Sequence, residues 1–172
     1  MTSKLKTDVL ETGSGSGTIA LNNQLSGMTA DSMPSGSVLQ VVEAVSSGQI
    51  ATTSTSFTAS GVYVDITPKY TNSKMFIVVN LGGLYFSNGN STWQVEVVRG
   101  GSTPVGHGPK KIYGYNNNGS SARRVPANYN LSDSPSTTST VRYEIRFLVS
   151  AGTIEIGNTA STVNITATEI KG

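Results

Sequence analysis

The sequence predicts an all-β protein: an antiparallel β-sandwich, jelly-roll-like, preceded by a short extended N-terminal segment and assembled as a trimer. Three observations predict it. From Ser37 onward, apolar side chains recur at every second position in run after run, the period of a half-buried strand. Of 172 residues, 24 are Ser, 21 Thr and 19 Gly, with 13 Asn besides, a composition that suits turns and exposed strand faces and lacks strong helix formers. No window carries a helical stripe. Seven or eight strands separated by turn residues make a sandwich or jelly roll.

The elements follow in chain order. Residues 1–36 hold short apolar pieces parted by Gly13-Ser14-Gly15-Ser16-Gly17 and a second polar stretch, Asp31 to Gly36. These pieces are too sparse to form a core within one chain, but three copies around an axis can bury them. Leu5, Val9, Leu10, Ile19, Leu21, Leu25 and Met28 are the expected oligomer contacts. The sandwich domain is expected over 37–172. Ser37 to Val45 reads as a mostly buried strand. Gly61 to Thr67 sets Val62, Val64 and Ile66 against Tyr63 and Asp65 and stops at Pro68. Lys74 to Tyr85 alternates Met75, Ile77, Val79 and Leu81 with Phe76, Val78 and Asn80, so both faces read as largely buried. Asn88-Gly89 is a type I′ hairpin signal, and Thr92 to Arg99 returns with Trp93, Val95 and Val97 on one face. The cleanest alternation is Thr140 to Ser150, where Val141, Tyr143, Ile145, Phe147 and Val149 share a face. Ala151-Gly152 turns the chain into Thr153 to Ile156, and Thr162 to Ile170 closes it. The interval 100–139, poor in aliphatic residues, reads as a long insertion loop, with a short strand at Lys111 to Tyr115.

Composition excludes much chemistry. Without cysteine there is no disulfide framework, zinc ribbon or thiol nucleophile. A single histidine, His107, cannot build a His-based metal cluster within one chain. With 12 basic and 10 acidic residues the near-neutral balance argues against nucleic acid as a partner. The basic start lacks a following apolar stretch, so no secretory signal is expected. Met75 to Val79 is too short to span a bilayer, so no membrane insertion is expected.

No catalytic constellation stands out, and no cofactor or metal is expected. The acids are scattered, several at the polar positions of alternating strands, where they read as a solvated face. A glycosidase would need two carboxylates held in one cleft, which no sequence motif here announces. His107 lies in a turn-rich stretch with no nucleophile motif beside it; its one open role is to meet its copies on a threefold axis. The glycine-serine stretch lacks the Lys-Ser/Thr ending of a phosphate loop and reads as a spacer. Asn90, Asn118, Asn130 and Asn164 head glycosylation-type tripeptides, as chance provides in a chain so rich in Asn, Ser and Thr. The most informative surface feature is the 100–139 interval, which carries Tyr113, Tyr115 and Tyr129 with Lys110, Lys111, Arg123 and Arg124 and no acid before Asp133. Tyrosine gives broad contact area at low entropy cost, and the basic groups suit anionic sugars or phosphates. These seven residues are the expected ligand-binding set.

Several segments carry a family likeness: Ser3 to Asp8 (SKLKTD), Gly17 to Met28 (GTIALNNQLSGM), Met33 to Val42 (MPSGSVLQVV), Ile66-Thr67-Pro68 with Ser73-Lys74, Val98-Arg99-Gly100, Asp133 to Val141 (DSPSTTSTV) and Thr166 to Ile170 (TATEI). In order and spacing they resemble tail-fibre-like and other appendage structural proteins of marine bacteriophages, notably those of cyanophages, with 101–131 as the divergent part. The resemblance implies a virion structural component, a homotrimer, and no catalytic residues. The functional expectation is a non-enzymatic short tail-fibre or receptor-binding appendage, located in the virion. Its N-terminal segment would meet other virion proteins and its sandwich a glycan or protein of the host surface. Head decoration or a tail connector remains the alternative.

Overall fold

The computed structural model describes residues 29–106, 112–116, 122–158 and 160–172. The chain divides into two units, Met1–Ser32 and Met33–Gly172. In the first, the described residues form one 3-10 turn, Ala30–Ser32, closed by the Ser32 N–H on the Thr29 carbonyl and by the Ser32 hydroxyl, which bonds both backbone groups of Thr29. The seven expected oligomer contacts lie outside the described residues.

The second unit contains eleven strands: β1 (Val38–Ser46), β2 (Ile50–Thr52), β3 (Thr58–Ile66), β4 (Lys74–Phe86), β5 (Ser91–Arg99), β6 (Thr103–Pro104), β7 (Ile112–Asn116), β8 (Arg123–Asp133), β9 (Val141–Val149), β10 (Ile154–Ile156) and β11 (Val163–Ile170). All pairings are antiparallel. In one sheet β4 is flanked by β8 on one side and by β11 and β10, end to end, on the other; β1 and β2 line the outer edge of that pair. In the other sheet the order is β3, β9, β5, then β6 and β7 end to end. Merging the collinear pairs gives eight courses, wound 1-8-3-6 in one sheet and 2-7-4-5 in the other, the winding of a jelly roll.

That winding makes every connection but one cross between sheets. The exception is Gly100-Gly101, both left-handed (φ 59° and 80°), which turns β5 directly into β6. Asn88-Gly89 is therefore no type I′ hairpin: β4 and β5 belong to different sheets, and only Asn90 in this arch has positive φ, at 56°. The Ser91 hydroxyl and the Asn116 amide both donate to the Asn88 carbonyl, which holds the arch open. The 100–139 interval also differs from a loop. It contains β6, β7 and the eleven-residue β8, whose polar side chains hid a strand paired along one side to β4 on either side of an irregularity between Asn80 and Gly83.

The alternating residues meet as expected inside. Val62, Val64, Ile66, Met75, Ile77, Val79, Leu81, Val95, Val97, Tyr143, Ile145, Phe147 and Val149 are all buried in one core. A fully buried aliphatic side chain of this kind is worth about 1.5–3 kcal/mol. The opposite faces of two strands depart from expectation. Phe76 and Val78 on β4 stay 40% and 39% exposed, and Val41 and Val45 on β1 are each 58% exposed. They point outward from the sheet, and β1, an edge strand, has no fully buried residue.

A buried carboxylate and a partly buried one fix the end at which the chain enters the sandwich. Glu169 of β11 is fully buried and accepts from the Gln40 amide at 2.5 Å, the Lys69 backbone N–H at 2.6 Å and the Ser73 hydroxyl at 2.6 Å. The crossing from β3 to β4 is thereby tied to β1 and β11. Beside it, Lys171 exchanges backbone bonds with Gly36 and Ser37 and donates through Nζ to the Met33 carbonyl. Asp133, at the end of β8, accepts from Arg99 of β5 at 2.7 Å and from the Tyr143 hydroxyl of β9 at 2.8 Å, joining the two sheets.

Burial, and after it the bond to Asp133, holds the Tyr143 phenol well above its ordinary pKa. A raised folded pKa means that this contribution is complete below the unfolded value, about 10, and is lost as pH rises above it. The unfolding free energy of the wild type from urea titrations should therefore fall as pH passes from about 9.5 to 11, by up to about 1.4 kcal/mol per pH unit from this group. Tyr143→Phe should flatten that decline, and an unchanged slope would remove Tyr143 from the account.

Candidate binding face

Of the seven residues expected to bind a ligand, the structure brings Tyr113 and Tyr115 together. Both lie on β7, two positions apart, and so share one side of a strand. Register with β5 sets Tyr113 opposite Gln94, Gly114 opposite Trp93 and Tyr115 opposite Thr92. Gln94 is in turn opposite Leu148 of β9, and Thr92 exchanges bonds with Ser150. The outer face thus carries two rows, Tyr113–Gln94–Leu148 and Tyr115–Thr92–Ser150, without a charged side chain in either. Tyr113 is 61% and Tyr115 55% exposed.

The inner side of the same strand explains why the rings stand outward. Trp93 lies beneath β7, stacked on Phe86 with ring centroids 5.6 Å apart and planes 10° from parallel. Gly114 faces this indole so closely that an added Cβ would penetrate the Trp93 ring. Glycine is required there for space, not for backbone conformation. Asn116, buried, anchors the end of β7 to the Asn88 carbonyl at 3.0 Å, and the Tyr115 hydroxyl donates to Asn90 at 3.3 Å.

The other expected residues separate. Arg123 and Arg124 open β8 in the opposite sheet, level with Phe86 and Tyr85. Arg123 is exposed. Arg124 is not unopposed, because Glu155, distant in sequence, lies 2.9 Å from it. Arg124 also donates to the carbonyls of Gly83 and Gly157 at 2.9 and 3.0 Å and lies over the Tyr85 ring. Its guanidinium is a brace across β4. Tyr129 is not part of the exposed pair; the alternation of β8 turns it inward with Leu131, half-buried against the core, and burial raises its pKa. Lys110, Lys111 and His107 lie outside the described residues.

The acids do not form one solvated face. Glu169 and Glu96 are buried, Glu96 within 3.8 Å of Arg146. Asp65 on the surface matches the solvated reading, with a bidentate pair to Arg142 that lowers its pKa. Among the described residues no three His, Cys, Asp or Glu side chains cluster as a metal site. A cleft of about 430 Å³ lined by Lys74, Gly106, Ser132, Asp133 and Ser134 opens at the entry end, but the carboxylate in its wall is already bonded to Arg99 and Tyr143. Sequence reasoning missed Gln94, Thr92 and Ser150 as companions of the tyrosines. The available signal was the Tyr-Gly-Tyr alternation itself, in which a glycine fills the inward position.

No protein-family model matches the sequence, and no curated protein is significantly similar to it. Among the described residues no helix is long and apolar enough to cross a membrane.

Gly114→Ala should destabilise the domain by about 1–3 kcal/mol through overpacking and shift the Trp93 emission. Tyr113→Ala should change stability by no more than about 0.5 kcal/mol, as exposed positions do. Denaturant unfolding followed by fluorescence checks both; equal losses would mean that the tyrosine is a packing residue.

Proposed function

We propose that this chain is a non-enzymatic bacteriophage virion protein, a short tail-fibre or receptor-binding appendage that works as a homotrimer and contacts the host surface through its sandwich. The observation that carries the reading is a separation of ends. The chain enters the sandwich at Met33–Ser37, where Gly36 and Lys171 are bonded, and this end is level with Lys74. Tyr115 is level with the other end of the sheets, beside the Phe86–Ser91 arch. Twelve residue steps along β4 make that span about 40 Å at ~3.3 Å per step. An appendage held at its entry end presents the exposed tyrosines away from its attachment. The likeness of the sequence to marine phage appendage proteins supports the same reading.

The trimer is supported by the contrast between the two outer faces. On the sheet containing β4, the rows Val41–Thr168–Phe76–Ser132 and Val45–Asn164–Asn80–Asn128 are uncharged, and the row between them holds one acid, Glu43, bonded to Asn164. The other sheet's outer face is laced with Asp65–Arg142 and Glu96–Arg146 pairs. The β4 sheet's own ion pair, Arg124–Glu155, lies at the far end, and a subunit contact favours the uncharged rows of the entry half, where apolar area is buried without stripping water from charge.

Mass photometry of the full chain should give three times the 17.9 kDa chain mass, and the double substitution Phe76→Asp, Val78→Asp should reduce it to monomer with the β-sheet circular dichroism retained. A wild-type monomer at micromolar concentration would retire the trimer. Electron microscopy of virions carrying a labelled chain tests the role itself. A tail-distal position agrees with attachment, whereas a capsid or head–tail junction position would replace it with decoration or connection.

A further inference from the structure

We propose that the Tyr113–Tyr115 face binds an uncharged saccharide, a ligand class that rests on the reading of this end as the host contact and narrows it. Four observations point there. The two tyrosines lie two apart on a strand whose other face is fixed by Trp93, so the strand that carries them is set before any ligand arrives. Their neighbours in the two rows are Gln94, Leu148, Thr92 and Ser150, none of them charged. The Gln94 amide and the Thr92 hydroxyl, both half-buried, have no hydrogen-bond partner among the described residues, although each is placed to bond a group lying across the tyrosines. The third row, Glu96–Arg146, is already neutralised by its own ion pair.

The chemistry of a sugar ring answers these features together. Its aliphatic C–H face stacks on a tyrosine ring, while its edge hydroxyls both donate and accept, as an amide and a hydroxyl require. Residues two apart on a strand are about 6.4–6.8 Å apart, which lets two successive sugars of one chain each cover a ring. An anionic polymer finds no matching cation in these two rows; of the described basic residues that the sequence offered, Arg123 lies on β8 in the opposite sheet and Arg124 is committed to Glu155 and two carbonyls.

Native affinity electrophoresis of the full chain tests this, with gels containing neutral polysaccharides (dextran, laminarin, mannan, agarose) or anionic ones (alginate, dextran sulfate). At least one neutral polymer should retard the protein, with retardation kept at 0.5 M NaCl. Tyr113→Ala and Tyr115→Ala should each weaken it about tenfold or more, and Gln94→Ala about threefold or more, with unfolding midpoints unchanged. Retardation by anionic polymers alone, abolished by salt, would overturn the uncharged class while leaving this end as a host contact. Retardation by a neutral polymer that persists in both tyrosine variants would move the saccharide site elsewhere on the molecule. No retardation by any polymer would overturn the saccharide site.

Discussion

Every strand course in this fold must give one face to a single core, and the winding therefore leaves two outer faces that the interior cannot use. Much of the rest of the molecule follows from how those two faces are filled. One carries Asp65–Arg142 and Glu96–Arg146 pairs, with Arg142 stacked 3.7 Å from the centre of the Tyr63 ring. Asp65 and Arg142 keep their water and gain only modest pair energy, which suits a surface left in solvent. The other face is built of Val, Thr, Phe and Asn over its entry half, with the Arg124–Glu155 pair confined to its far end. Its apolar side chains gain nothing from exposure, and the proposed assembly gives them a place to go.

The entry end is organised by polar groups that would be costly if left alone. Glu169 has three neutral donors on its two oxygens, from Gln40, Lys69 and Ser73. A buried carboxylate satisfied in this way holds its surroundings in one arrangement, because moving any donor strands a desolvated charge. Asp133 does the same between sheets. The oxygens of both acids are taken by structural donors. The opposite end is built differently, on packing. Trp93 and Phe86 support β7 from within, and the tyrosines stand out because Gly114 lets the strand settle on the indole.

How much of this was legible in the sequence depended on which neighbour a residue answers to. Alternation along one strand shows which side is apolar, so the inward sets of β3, β4, β5 and β9 could be read directly. It does not show whether the second side is covered, which is why Phe76 and Val78 were expected inside. Asn88-Gly89 carries a strong local turn signal, yet the crossing between sheets is set by pairing partners tens of residues away. Strand β8 was hidden because Asn128, Asn130 and Ser132 face outward beside Phe76 and Val78, leaving little apolar pattern to see. On the tyrosine-bearing face, Tyr113 and Tyr115 were visible by type and Ile112–Asn116 nearly so by pattern. Arg124 was misjudged because its partner, Glu155, is joined to it only through the fold.

The central claim is that the two outer faces have different fates, the one bearing Phe76 and Val78 covered by a neighbouring copy and the tyrosine-bearing one open. Hydroxyl-radical footprinting of the purified full chain at micromolar concentration, read by mass spectrometry, tests it most directly. Phe76 should label as slowly as the buried Phe147, while Tyr113 and Tyr115 label rapidly in the same sample. Rapid labelling of Phe76, at the rate its 40% exposure in the single chain gives, would contradict the account.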